Sequence, residues 1–136
     1  MSVVQDVLEN SKTVAIVGLS PKEGRPSLAV AIYLKEHGYK VIPVNPSVDE
    51  VIGEKSYPDL ISIPEKVDVV DVFRKPEDVV AIAEEAIKIG AKVLWMQLEI
   101  SNAEAAKMAR DAGLLVVQDH CIKKEHEKMT GVTKED

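Results

Sequence analysis

The residues best suited to chemistry gather in one stretch, TVAIVGLSPKEGRPS at 13–27. An apolar, β-branched run, Val14 to Val17, stops at Gly18. Ser20, Lys22, Gly24 and Arg25 follow, and a helical pattern opens at Pro26-Ser27. Strand, tight turn and helix start in that order leave backbone N–H groups and the positive end of a helix dipole at the carboxyl end of a strand. Such a place suits a phosphate.

Two further stretches bear on which phosphorylated ligand this is. The first loop is not the dinucleotide fingerprint G-x-G-x-x-G: position 20 is Ser20 and the next glycine after Gly18 is Gly24. NAD sites place an acid after the second strand to accept the ribose hydroxyls. Here that place holds Asn45-Pro46-Ser47, and the nearest acid is Asp49. An asparagine does not repel a phosphate on the ribose, so the pattern favours a nucleotide that carries one, as coenzyme A and NADP do. An Asn-Pro turn closing a strand accounts for the same residues. At the end of the third strand, Phe73-Arg74-Lys75-Pro76 offers an aromatic face for an adenine and a cation for a phosphate. A core phenylalanine beside a solvated arginine is the plainer alternative, although Phe73 is the only phenylalanine in the chain.

Other combinations carry less. Gly53-Glu54-Lys55-Ser56 has the ending of a P-loop without its upstream glycine, and Pro58 stands where the helix should begin, so it is not one. His120, Cys121 and His126 include soft and imidazole ligands, but the spacing matches no metal motif, and no metal site is expected. Cys121 follows the fifth strand and has the chemistry to exchange with a thiol ligand; a buried inert thiol is the simpler reading. Asp68, Asp71, Asp119 and Ser20 show no partner that makes them catalytic, and no catalytic residue is assigned.

The elements that position these residues alternate strictly. A short leading helix spans Val3 to Leu8. Strands are expected at Val14–Val17, Lys40–Val44, Val67–Phe73, Val93–Met96 and Leu114–Val117. Helices are expected over Ser27–Gly38, from Pro76 to Gly90, over Asn102–Ala112 with Ser101 or Asn102 as cap, and through Glu125 and Met129 before fraying over 130–136. Residues 47–66 read as a loop with one or two short turns. Pro43 fits its strand only if its nitrogen faces away from a partner. Continuous apolar strands separated by helices imply an α/β fold, a single doubly wound parallel sheet of about five strands with helices on both faces, and one domain over 1–136. Ligands of such sheets sit beyond the carboxyl ends of the strands.

Composition agrees. With 136 residues and 46% hydrophobic content the chain has enough for one packed core. A net charge of −6 argues against binding along nucleic acid, while a few local cations suffice for a small anion. No apolar run approaches the roughly 18 residues of a membrane span. The start lacks a signal-peptide pattern and Cys121 is the only cysteine, so a cytoplasmic location is expected.

The chain resembles the stand-alone CoA-binding proteins with a Rossmann-type fold, related to the N-terminal CoA-binding domain of the succinyl-CoA synthetase alpha subunit. The resemblance rests on the 13–27 stretch, GYKVIPVNPS at 38–47, IGEKSYPDL at 52–60, VDVVDVFRKPE at 67–77, GAKVLWMQLEI at 90–100 and AGLLVVQDHC at 112–121. It implies that Gly18, Leu19, Ser20, Arg25 and Ser27 surround the CoA phosphates. Asn45 and Pro46 would border the adenosine, with Phe73 and Arg74 opposite and Gln97 toward the pantetheine. Relatives commonly have glycine where this chain has Glu99, which bears on how open the pocket is beyond Gln97. The synthetase's phosphorylated histidine lies in a separate domain, so the resemblance does not justify carrying over synthetase activity. The expected function is binding of coenzyme A or an acyl-CoA by a non-catalytic carrier, sensor or regulatory module. An NADP-dependent oxidoreductase or redox module is the alternative, as is an accessory subunit of an acyl-CoA synthetase complex. A homo-oligomer and a synthetase partner are both open.

Overall fold

The computed structural model describes residues 2–131. Helix α1 (Val3–Asn10) leads into β1 (Thr13–Val17), α2 (Pro26–Glu36), β2 (Lys40–Val44), the short strands β3 (Glu50–Val51) and β4 (Glu54–Lys55), and β5 (Val69–Val72). A single 3₁₀ turn at Pro76–Asp78 opens α3 (Val79–Lys88). Then come β6 (Val93–Met96), α4 (Ala103–Asp111), β7 (Leu115–Val117) and α5 (Ile122–Thr130). The main sheet has the order β2-β1-β5-β6-β7, with every pairing parallel. From β1 the chain crosses to β2 on one side and then to β5 on the other. The strand order therefore reverses between β1 and β5, where such sheets form their ligand crevice.

The apolar runs are continuous because both faces of the sheet are covered. Ala15, Val17, Val70, Val72, Leu94 and Met96 pack with Val79, Ala83 and Ala86 of α3 and Ala105, Ala106 and Ala109 of α4. Val14, Ile16, Val69, Val93 and Trp95 pack with Val7 and Leu8 of α1, Val30, Ala31 and Leu34 of α2, and Ile122 of α5. Asn102 caps α4 by accepting from the Ala105 amide at 2.9 Å. Gly131 closes α5 at φ 75°, and residues 132–136, where fraying was expected, lie outside the described residues.

The 47–66 segment corrects the loop expectation. Glu50–Val51 and Glu54–Lys55 form an antiparallel hairpin across Ile52-Gly53, both at positive φ. That is the backbone of a two-residue primed turn, and a β-branched residue in its first position hides the signal that Asn-Gly would have given. The hairpin is tied to α2: Lys35 Nζ lies 2.7 Å from the Ile52 carbonyl and 2.9 Å from Glu54. Beyond it, the Tyr57 amide donates to the Pro43 carbonyl at 3.0 Å and the Asn45 amide to the Tyr57 carbonyl at 2.9 Å. Pro43 thus turns its carbonyl, and with it its nitrogen, to the outer edge of β2. No ladder bond to β1 is lost.

One residue contradicts the apolar logic. Asp71 is fully buried in β5, opposite Ile16 and Trp95, and neither carboxylate oxygen has a hydrogen-bond partner. Burial raises its pKa well above the ordinary carboxylate value, which favours the neutral acid. Asp71→Val is expected to stabilise the protein by about 1–3 kcal/mol near neutral pH, the cost of an unsatisfied buried polar group. Its sign with pH follows from linkage. The raised folded pKa makes the wild type lose stability as pH rises above the unfolded value of 3.8, so the variant's advantage grows from pH 4 toward 7. Urea midpoints of the two proteins across that range check this; an advantage that shrinks with rising pH contradicts it.

Candidate ligand-binding site

The site is built around the β1–β5 crevice. β1 ends at Val17, and Gly18, at φ 91°, turns the chain away from the sheet. A Cβ on Gly18 would lie 2.6 Å from the Phe73 carbonyl oxygen and 2.9 Å from Arg74 Cδ. The two loops that form the crevice therefore touch at a point where only a glycine fits. The Gly18 amide donates to the Val44 carbonyl at 2.9 Å, which draws the end of β2 into the same rim.

The first loop is held by its own side chains. The Ser20 amide donates to Ser27 Oγ, and the Lys22 amide to Ser20 Oγ, both at 3.1 Å. Asn45 clamps the loop to the end of β2. Its Nδ2 donates to the Leu19 carbonyl at 2.9 Å, and its Oδ1 accepts from the Ser47 amide at 2.8 Å. The Asn-Pro turn is thus also a brace for the glycine loop.

Three hollows open along this rim. The first, of about 450 Å³, is bordered by Gly18, Ser20, Lys22, Arg25, Asn45 and Phe73, with Arg74 at its edge. It is an electropositive cradle at the start of α2, whose first residue, Pro26, follows Arg25 at the N-cap. The second, of about 320 Å³, lies on the α3 side. Val17, Val44, Leu60 and Ile82 line it with Pro46 and Pro58, and Asp59, Glu77, Asp78 and Glu85 add carboxylates. The third, of about 490 Å³, runs past Phe73 and Pro76 to Leu98, Glu99 and Ile100. Arg74 borders all three. Its guanidinium lies 3.3 Å from Asp78, a half-exposed pair of the kind worth a few tenths of a kcal/mol.

Of the residues singled out from sequence, Gly18, Ser20, Arg25, Asn45, Phe73 and Arg74 border the cradle together, and Pro46 borders the second hollow. Three stand apart. Leu19 is fully buried in the core under the loop. Ser27 is buried and faces Ser20. Gln97 is buried, and its Oε1 accepts from the Ile122 amide at 3.1 Å, so its side chain fixes the start of α5. Sequence reasoning missed the acidic second hollow. Its walls come from Pro58–Leu60, in the segment read as loop, and from the outer turn of α3.

The remaining singled-out residues have structural work. Asp68 accepts from the Lys12 and Thr13 amides at 2.8 and 3.0 Å at the opposite end of the sheet. Asp119 accepts from the Glu99 amide at 2.6 Å. Cys121 caps α5 without a side-chain bond. Among the described residues no group of three His, Cys, Asp or Glu side chains is arranged to hold a metal ion. His126 instead turns into the core, where its Nδ1 lies 2.7 Å from the Tyr33 hydroxyl. His37 stacks on the same tyrosine. Burial, and then the neighbouring His37, lower the His126 pKa, with Glu127 opposing. A depressed histidine pKa means that the unfolded chain takes up the proton first. Stability that His126 supplies at pH 7 is therefore lost as pH falls below about 6.5. Melting curves at pH 7 and pH 5 should show a smaller acid loss for His126→Gln than for the wild type; equal losses contradict this.

Comparison with known proteins gives the geometry a context. The description "CoA binding domain" matches residues 12–127 of this chain. The chain belongs to that CoA-binding domain family. The similarity extends to part of a larger protein: ADP-forming acetate–CoA ligase II of Archaeoglobus fulgidus is 32% identical over 127 residues, which are 89% of this chain but 19% of the ligase. The protein YneT of Bacillus subtilis is 39% identical over 90% of this chain and 91% of its own. Among solved structures, a hypothetical protein from Pyrococcus horikoshii OT3 superimposes with a TM-score of 0.92 at 47% identity, covering 94% of this chain and 90% of that one. The dinucleotide-forming acetyl-coenzyme A synthetase 1 of Ca. Korarchaeum cryptofilum superimposes with a TM-score of 0.71 at 27% identity, covering 82% of this CoA-binding domain and 26% of the synthetase. Among the described residues no helix is long and apolar enough to cross a membrane.

Proposed function

We propose that the chain binds coenzyme A or an acyl-CoA along the carboxyl rim of its sheet and serves as a non-catalytic carrier, sensor or regulatory module in the cytoplasm. The observation that carries this reading is Arg74, shared by three contiguous hollows of different chemistry at the point where strand order reverses. The pyrophosphate takes the cradle, where Lys22 and Arg25 supply charge at the start of α2 beside Gly18, Ser20 and Asn45. The adenine takes the second hollow, with apolar side chains beneath its ring and carboxylates to accept from its exocyclic amine. The pantetheine arm leaves past Phe73 into the third. Leu19 and Ser27 support the phosphates from behind the loop, and Gln97 supports the arm by fixing α5.

NADP shares the ribose phosphate, and the family match favours coenzyme A over it. An accessory role in an acyl-CoA synthetase complex is a second reading, favoured by the ligase that carries a similar domain over a fifth of its length. Calorimetry against CoA, dephospho-CoA, NAD and NADP in parallel tests the primary reading. CoA should bind at least tenfold more tightly than NADP. Tighter binding of NADP, or no heat with CoA, overturns it.

A further inference from the structure

The third hollow differs from the cradle in charge, and the difference runs along the sheet. At its β5 end stand Arg74, common to both hollows, and Lys75. At its β6 end stand Leu98, Glu99 and Ile100. Leu98 is half exposed although it is a large apolar side chain. Glu99 is exposed and lies at φ 69°, a left-handed conformation that costs a non-glycine residue energy. Two hydrogen bonds hold it there. The Glu99 amide donates to Asp119 Oδ1 at 2.6 Å, and the Asp119 amide donates to the Ile100 carbonyl at 3.1 Å. Asp119 is itself left-handed, at φ 59°. The loops after β6 and β7 thus brace each other and present an apolar wall with an acidic rim. The groove beyond Gln97 is open, even with a glutamate in place of glycine.

Resting on the coenzyme A reading above, we propose that this groove receives the acyl end of the thioester and that Glu99 selects short uncharged acyl groups over dicarboxylic ones. The phosphates sit at the β1 rim, so the arm carries the acyl carbonyl toward β6, two strand spacings or about 10 Å away. Phe73, Pro76, Leu98 and Ile100 offer an aliphatic chain a surface to cover. A terminal carboxylate in the same place meets the Glu99 carboxylate, with Asp119 behind it. Arg74 and Lys75 border the groove from the loop after β5, whereas Glu99 borders it from the loop after β6. Like charges a few ångströms apart at a partly exposed site correspond to a five- to tenfold difference in affinity.

Butyryl-CoA and succinyl-CoA test this, because their acyl chains have the same length and differ in a terminal methyl against a carboxylate. Calorimetry on the full chain should give butyryl-CoA a five- to tenfold lower Kd than succinyl-CoA. In Glu99→Gln the ratio should fall below about twofold, and in Glu99→Lys it should reverse. In 1 M salt the wild-type preference should shrink, because charge is then screened within about 3 Å. Equal wild-type affinities for the two thioesters, or a preference untouched by Glu99→Gln, overturn the selectivity while leaving CoA binding intact. Failure of unesterified CoA to bind overturns the underlying reading together with it. Since Glu99 is exposed and donates to Asp119 through its backbone amide rather than its side chain, the glutamine variant should melt with the wild type; a matched melt makes the ratio interpretable.

Discussion

Arg74→Ala is expected to weaken coenzyme A binding about 10- to 150-fold, the equivalent of one charge-assisted hydrogen bond worth 1.5–3 kcal/mol. The guanidinium is half exposed and paired with Asp78 at 3.3 Å, an i,i+4 contact of about 0.3–0.5 kcal/mol. A phosphate brings more charge and desolvates the site, so exchanging Asp78 for the ligand is favourable. Since Arg74 borders the cradle and the adenine-side hollow alike, it stands where the ribose phosphate must pass. The loss should therefore be larger for CoA than for dephospho-CoA. Arg74→Lys should recover part of it, because a point charge replaces a bidentate fork. Calorimetry with both ligands decides; equal losses for CoA and dephospho-CoA remove the ribose-phosphate assignment.

Gly18→Val should cost about 3 kcal/mol or more in stability and lower the melting temperature by about 10 °C. Two terms add. A side chain at φ 91° costs about 1–2 kcal/mol by itself. The new Cβ then overlaps the Phe73 carbonyl, which belongs to the backbone of a central strand end and cannot swing aside. Gly24 provides the control. It has a similar φ of 87°, but nothing lies within 4 Å of its would-be Cβ. Gly24→Ala should lose only about 1 kcal/mol. Circular-dichroism melts of the two variants separate backbone strain from the loop contact. A Gly18 variant no less stable than the Gly24 variant contradicts the close approach that shapes the crevice.

Much of this fold was legible because its strands are buried on both faces. Val14–Val17, Val41–Val44 and Val93–Met96 are apolar without alternation, and each sits in the sheet within a residue or two of its expected bounds. Pro43 was a warning that resolved into an edge position. The hairpin at 50–55 was not legible, because a β-branched isoleucine occupies the first position of its turn. The candidate site was legible as a set of loop ends, since parallel topology fixes which loops share a rim. Side-chain direction was not. Leu19, in the loop after β1, and Ser27, in the first turn of α2, face inward, and Gln97 turns to the Ile122 amide. Asp71 was visible as an acid in an apolar strand, yet its lack of any partner depends on packing from β1 and β6, far away in sequence.

The central claim is that one ligand lies across three hollows that meet at Arg74. A crystal structure of the complex with coenzyme A tests it most directly. The expected complex has the pyrophosphate over the loop from Gly18 to Arg25, a phosphate oxygen within hydrogen-bond distance of the Arg74 guanidinium, adenine against Pro46, and the pantetheine arm passing Phe73 toward Glu99. Coenzyme A seated away from the β1–β5 crevice, with Arg74 still paired only to Asp78, contradicts it.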